Sequence, residues 1–190
     1  MKSIVAFSDL HFSEVPNQLK EACMYADYVF FLGDGFFNVK EIGYADNFYG
    51  VKGNCDYTEF LDDEQVIEVE ELRILITHGH KYGVKDDTMA LLNRAHELNC
   101  NVVFYGHTHT ADIEQIEGVT LVNPGALYSP NGSRSYSYCV VNQKRFSAKI
   151  VELKWFKIFF YINILNPIHK SILSSIQNTL FRYISISILS

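Results

Sequence analysis

Five apolar runs of strand length in this chain stop at short polar blocks, and that recurrence restricts the fold more than any other feature. Ser3-Ile4-Val5-Ala6-Phe7-Ser8 leads into Asp9-Leu10-His11, and Tyr28-Val29-Phe30-Phe31-Leu32 into Gly33-Asp34-Gly35. Phe48-Tyr49-Gly50-Val51 leads into Gly53-Asn54, Arg73-Ile74-Leu75-Ile76-Thr77 into His78-Gly79-His80, and Asn101-Val102-Val103-Phe104-Tyr105 into Gly106-His107-Thr108-His109. Apolar runs of this length, bounded by glycine, suit strands in a sheet covered on both faces. Side chains able to hold a metal therefore gather at strand ends.

The stretches between these runs complete the picture. Pro16 to Tyr25 carries a helical pattern, with Pro16 suited to the first turn. Asp86 to Leu98 predicts a second helix, with Asp86 or Asp87 as N-cap. Val66–Val69 and Arg73–Thr77 read as a hairpin. So do Ile113–Ile116 and Val119–Val122 around Glu117-Gly118, and Tyr136–Val141 and Phe146–Leu153 around Asn142-Gln143-Lys144. The second half is thus mostly antiparallel, and the simplest architecture is two mixed sheets packed face to face with helices outside.

A chain of 190 residues can bury a full core, and its net charge of −6 argues against a footprint on a nucleic-acid duplex. The cysteines at 23, 55, 100 and 139 form no CxxC pair; three lie in apolar surroundings, as expected in a reducing cytoplasm. No basic stretch followed by an apolar one opens the chain, so no signal peptide is expected. The composition divides it into a domain over 1–153 and a tail over 154–190 without an acidic residue. Trp155–Leu165 is too short an apolar run for a transmembrane helix. Ile172, Ile176, Leu180, Ile184 and Ile188 fit an amphipathic helix, whereas Ile184, Ile186 and Ile188 fit a strand. Membrane-surface docking, an oligomer contact and packing back on the domain stay open for the tail. The preferred readings are disorder or non-native sequence after a frameshift.

The strand-end blocks supply seven candidate metal ligands: Asp9, His11, Asp34, Asn54, His78, His107 and His109. Oxygen and imidazole donors suit a borderline divalent cation such as Mn²⁺, Fe²⁺, Zn²⁺ or Ni²⁺. Seven donors are too many for one such ion and fit two that share a carboxylate. Two cations roughly 3.5–4 Å apart bridge a water, lower its pKa and clamp the oxygens of a phosphate. The spacing of His107 and His109 turns both side chains to the same face of an extended segment.

In order and residue type, these blocks resemble the motif set of the calcineurin-like metallophosphoesterases. Gly53-Asn54-Cys55-Asp56 and Asn123-Pro124-Gly125 resemble the YfcE-type small phosphodiesterases in particular. The resemblance covers residues 1 to about 153. It implies an α/β fold, a four-layer α/β/β/α sandwich, and a phosphodiesterase acting through a metal-bridging hydroxide on a small diester. It implies two divalent ions, Mn²⁺ first with Fe²⁺, Zn²⁺ or Ni²⁺ as alternatives. Asp9, His11 and His109 would hold one ion, Asn54, His78 and His107 the other, and Asp34 would bridge; Asp34, Asn54 and His107 thus belong to the catalytic set. Many members carry a histidine after the asparagine, and here Cys55 stands there. A thiol with pKa about 8.5 is a poor acid at neutral pH, so His80 is the candidate proton donor.

Several residues have plainer explanations. Taken singly, His11 or His78 could be a strand-end histidine bonded to backbone, and Asp34 or Asn54 a turn residue. His96 reads as a helix surface residue, and His169 has no nameable partner. Asp56 reads as a group that orders its loop. Asn123 either shapes the turn before Pro124 or brings backbone toward the metals. Arg134 pairs with a phosphate or is a solvated loop residue. Phe36, Phe37, Tyr44, Phe48 and Tyr49 are expected in the core, with a base-stacking surface as the alternative. The competing function is a non-catalytic scaffold like the retromer subunit of the same fold, in which metal positions are partly replaced; all seven are present here. A homo-oligomer stays open.

Overall fold

The computed structural model describes residues 1–42, 46–128 and 133–153. The expectations placed on 154–190, on His169 and on Tyr44 lie outside the described residues. The first sheet has the order β10-β9-β1-β2-β3, from β1 (Lys2–Phe7), β2 (Tyr28–Phe31), β3 (Phe48–Gly50), β9 (Ser135–Asn142) and β10 (Arg145–Glu152). The second has the order β4-β5-β6-β8-β7, from β4 (Glu64–Val69), β5 (Leu72–Thr77), β6 (Val102–Phe104), β7 (Ala111–Ile116) and β8 (Val119–Pro124). Strands β1, β2 and β3 pair in parallel, as do β5, β6 and β8, while β4, β7, β9 and β10 pair antiparallel to their neighbours. Both sheets are mixed, as expected.

Side-chain alternation along each strand builds the layers. Ile4 and Ala6 of β1 face the core between the sheets, with Phe30 and Leu32 on one side and Ile74, Ile76 and Phe104 on the other. Val5 and Phe7 face outward and pack under Leu19 and Cys23 of helix α1 (Asn17–Tyr25). Leu75 and Val103 do the same in the second sheet, under Leu91, Leu92 and Ala95 of helix α2 (Met89–Glu97). Helices this short are marginal alone; each buried Leu adds about 1.5–3 kcal/mol through packing. The result is the four-layer α/β/β/α sandwich.

Two local departures have clear causes. Helix α2 starts at Met89 and not at Asp86, which ends a preceding turn with its N–H donating to Gly83 O at 2.9 Å. The N-cap is Thr88, not the Asp86 or Asp87 expected; Asp87, one residue earlier, accepts from Met89 N at 2.9 Å. A 3₁₀ turn, Phe36–Ile42, follows β2, where the sequence carries no helical period.

Asp27, in the turn between α1 and β2, fastens the start of β1. Its Oδ2 accepts from Ser3 N at 2.8 Å and Ser3 Oγ at 2.9 Å, and its Oδ1 from Lys2 Nζ at 3.0 Å. The Ser3 N–H first, then Lys2, hold the carboxyl down at about 2. The folded pKa lies below the unfolded value, so the stabilisation is complete above pH ~4 and is lost as pH falls toward 2. Asp27 is exposed, so screening keeps the contribution below about 1 kcal/mol. The urea midpoints of the native chain and Asp27→Asn should differ at pH 5 and converge near pH 2. A constant difference across that range would contradict this.

Candidate metal centre

Parallel pairing within each sheet brings the polar blocks to one edge, and backbone hydrogen bonds then join them. Asp9 N donates to Gly33 O at 3.0 Å and His11 N to Asp34 O at 2.9 Å, so the first two blocks run side by side. Gly106 N donates to His78 O at 3.1 Å, pairing the two blocks of the second sheet. The His78 ring crosses between the sheets: its Nδ1 lies 2.7 Å from Leu32 O. That carbonyl takes the Nδ1–H and leaves Nε2 directed into the site, where the Asp34 and Asp9 carboxylates favour a proton on it until a cation displaces that proton and takes the lone pair.

The donor atoms converge on Asp9, which is fully buried. Its Oδ1 lies 3.0 Å from His109 Nε2 and 4.0 Å from both His11 Nε2 and His78 Nε2. His11 Nε2 and His109 Nε2 are 3.3 Å apart, and His78 Nε2 is 3.5 Å from Asp34 Oδ2. Three sets of ligand atoms lie within 4.8 Å of one another: Asp9, His11 and His109; Asp9, Asp34 and His78; and His11, Asp34 and Cys55. His107 stands beside them, its ring centroid 5.0 Å from that of His78, and its N–H donates to Asp9 Oδ2 at 3.0 Å. Asn54 is exposed, with Nδ2 3.3 Å from Cys55 Sγ. His80 lies at the rim, ring centroids 5.4 Å from His78 and 6.0 Å from His107.

The backbone is bent to achieve this. Asp9, His11, Asp34, His107 and His109 have φ of 55°, 48°, 62°, 68° and 60°, the left-handed region that costs L-residues about 1–2 kcal/mol each. Gly33 and Gly53 permit the crowding: a Cβ on Gly53 would lie 2.0 Å from Asp34 Oδ1, and one on Gly33 2.9 Å from His78 Nδ1. His107-Thr108-His109 is therefore not the extended segment expected. Thr108 N donates to Gly106 O at 2.8 Å, and two left-handed residues, not strand alternation, aim the two imidazoles.

Residues 1–145 match the calcineurin-like phosphoesterase superfamily domain. The chain belongs to that superfamily. It is 35% identical over 100 residues to the probable metallophosphoesterase YsnB of Bacillus subtilis, a match covering 53% of this chain and 59% of that protein. It is 31% identical over 96 residues to phosphodiesterase YfcE of Escherichia coli, covering 46% and 48%. The matched stretch thus spans about half the length of these relatives. In fold it is similar to Vps29 of Chaetomium thermophilum, with TM-score 0.70, 18% identity and coverage of 83% and 91%.

Membership in this phosphoesterase family implies divalent metal ions, and the site suits them. Asp9 Oδ1 and His78 Nε2 are buried and accept or donate no hydrogen bond; the approach of His109 Nε2 to Asp9 Oδ1 misses hydrogen-bond geometry. Buried carboxylate and imidazole atoms left so are costly unless a cation meets them. Electrostatics agree. Burial would raise the Asp34 carboxyl, but His78 and the Cys55 N–H, which donates to Oδ1 at 2.8 Å, hold it well below the ordinary value. Burial pushes His107 down to about 4, helped by the His78 charge, so its ring is neutral and able to ligate. Burial, then Asp34, push the Cys55 thiol up to about 11, so it is a thiol at neutral pH.

Four supporting groups of this site were hidden in the sequence or only half visible there. Asp56 orders its loop as expected, and does so by accepting four backbone N–H bonds: Asp34 at 2.7 Å and Gly53 at 2.9 Å on Oδ2, Gly35 and Phe36 at 2.9 Å on Oδ1. Asn123, fully buried, does more than shape its turn: Nδ2 donates to Gly106 O at 3.1 Å and Thr108 Oγ1 at 3.0 Å. The Leu32 carbonyl has no side-chain signature. Tyr128 was missed; its N–H donates to Asp9 O at 2.9 Å and its ring stands edge-on to His11 at 5.7 Å. His96 pairs with Glu117 at 3.4 Å on the surface, as read.

Proposed function

We propose that this chain is a dinuclear-metal-dependent phosphodiesterase acting on small phosphate diesters. The observation that carries this reading is the convergence of His11, His78 and His109 Nε2 on the buried Asp9 Oδ1, with Asp34 beside them. Two divalent ions, when bound, would supply an activated water and neutralise the phosphate oxygens. Asp9, His11 and His109 would hold one ion, and Asn54, His78 and His107 the other. Asp34, which can accept on two oxygens and faces both His78 and the His11 group, would be shared. Mn²⁺ is our first choice of ion, with Fe²⁺, Zn²⁺ and Ni²⁺ as alternatives on donor type.

The chain's own groups orient and exchange protons. The Leu32 carbonyl keeps His78 in its ligating tautomer, and Asp56 fixes the loops that carry Asp34 and Asn54. His80 is the proposed proton donor to the leaving oxygen. It is half-buried at the rim, where solvent can reload it, with its ring beside those of His78 and His107; burial followed by the His78 charge lowers its pKa, which confines an acid role to the acid side of neutrality. The fold shared with Vps29 does not discriminate a scaffold from an enzyme; the intact, converging donor set favours the enzyme.

The four cysteines are free thiols, three of them buried, and among the described residues no helix is long and apolar enough to cross a membrane. A reducing, cytoplasmic setting is our placement. The charge of −6 favours a small substrate over a duplex.

Purified chain, stripped and reloaded with Mn²⁺, Fe²⁺, Zn²⁺ or Ni²⁺, is expected to bind about two ions and hydrolyse bis-p-nitrophenyl phosphate, and His107→Ala to lose that activity. Inertness with all four ions would overturn the proposal. His80→Ala should slow diesters with poor leaving groups far more than the p-nitrophenyl ester; equal rates would remove His80 from the mechanism.

A further inference from the structure

β3 is the edge strand of the first sheet and β4 that of the second, and residues 51–63 cross from one to the other. Beside this crossing lies a cavity of about 750 Å³, the size of a small-molecule site. Six of its wall residues are aromatic, including Phe37, Tyr49, Tyr57 and Phe60, and Leu61 is the one aliphatic side chain among the described residues there. Phe36 and Phe48 also pack into the core, as the sequence suggested. Tyr57 and Phe60 do not: they are 91% and 89% exposed. Rings left this far in water contribute little to the core, and beside the four other aromatic wall residues they form a contiguous exposed apolar surface of the kind that marks a binding site.

The cavity is coupled to the metal centre through Asp56. That carboxylate binds the N–H of Asp34 and Gly53 on one oxygen and of Gly35 and Phe36 on the other. Phe36 is two residues from Asp34, and Tyr57 is three from Asn54. At 3.8 Å per residue, the Tyr57 and Asn54 Cα atoms are at most about 11 Å apart, a distance that one sugar–phosphate unit and its base can span. The rest of the wall is polar, with Thr58, Glu59 and a Gln65 amide held by Gly50 O at 2.8 Å. No Lys or Arg lines it among the described residues. A wall of rings suits a flat occupant over an alkyl chain, and a wall without cations does not suit a polynucleotide backbone.

We propose that the aromatic cavity beside β3 stacks a nucleobase, so that the diesters cut at the metal centre are small nucleotide esters. This rests on the hydrolase reading above, and its test separates the two. Thymidine 5′-(p-nitrophenyl phosphate) and methyl p-nitrophenyl phosphate share a leaving group and differ in the nucleoside. The full-length, metal-loaded chain should prefer the thymidine ester, and Phe60→Ala and Tyr57→Ala should each reduce that preference roughly tenfold, through KM and not kcat. A preference near one, or one that both variants retain, would overturn the proposal while leaving the phosphodiesterase intact. If neither ester is hydrolysed, calorimetric titration with thymidine 5′-monophosphate decides. Weaker binding by both variants supports the cavity, and binding equal to that of the native chain overturns it.

Discussion

Asparagine at position 34 is expected to lower kcat/KM for a phosphate diester by about a thousandfold, roughly 4 kcal/mol of transition-state stabilisation, while the chain stays folded. Asp34 is 2% exposed, and its φ of 62° lies where asparagine is the best tolerated of the larger residues. The amide oxygen of Asp34→Asn can still accept the Cys55 N–H that Oδ1 accepts at 2.8 Å. What is lost is the negative charge facing His78 Nε2 at 3.5 Å and shared between two ligand groups. In metal-free protein that loss removes the attraction to His78 that helps hold the Asp34 carboxyl low, so the melting temperature should fall modestly. The rise in melting temperature on adding Mn²⁺ should shrink, because ligand stabilisation follows the logarithm of concentration over Kd. Elemental analysis, melting curves with and without Mn²⁺, and kcat/KM together check this. Native activity in Asp34→Asn would remove Asp34 from the centre.

The legible and hidden parts of this molecule differ in kind. That Asp9, His11, Asp34, His78, His107 and His109 come together could be read because few side chains are able to ligate a metal, and apolar runs ending in glycine placed them at strand ends. The sandwich could be read because Ile4, Ala6, Ile74 and Ile76 alternate with residues facing the helices. Contacts between backbones far apart in sequence leave no such mark. The Leu32 carbonyl that orients His78 and the Asp9 carbonyl that receives Tyr128 N could be any residue's. The same holds for backbone conformation: nothing in Gly106-His107-Thr108-His109 announces two left-handed histidines. The aromatic cavity was half visible. Phe36, Phe37, Phe48 and Tyr49 stood out as a cluster, but Tyr57 and Phe60 join them through a crossing segment with no periodic pattern.

Asp56→Ala is expected to be the most damaging single change outside the ligands themselves. The carboxylate gathers four N–H groups from two loops, at 2.7–2.9 Å. Alanine leaves all four without their acceptor, in a half-buried place where water replaces it only partly. Hydrogen bonds to a charged group contribute about 1.5–3 kcal/mol each when isolated. Shared by one carboxylate they do not add, so a loss of about 3–5 kcal/mol is expected. At 2–4 °C per kcal/mol for a domain of this size, melting should fall by roughly 10 °C. Activity should fall about 10- to 100-fold even where the chain is folded, because groups that orient metal ligands have effects of that order. Asp56→Asn separates charge from geometry. Its single carbonyl oxygen can serve one pair of donors, either Asp34 and Gly53 or Gly35 and Phe36, and its amide then points N–H at N–H toward the other pair. Its melting temperature should therefore fall between those of the native chain and Asp56→Ala. If Asp56→Asn matches the native chain in both stability and rate, the two loops are held by packing, and the link from the metal centre to the aromatic cavity through this carboxylate fails with it.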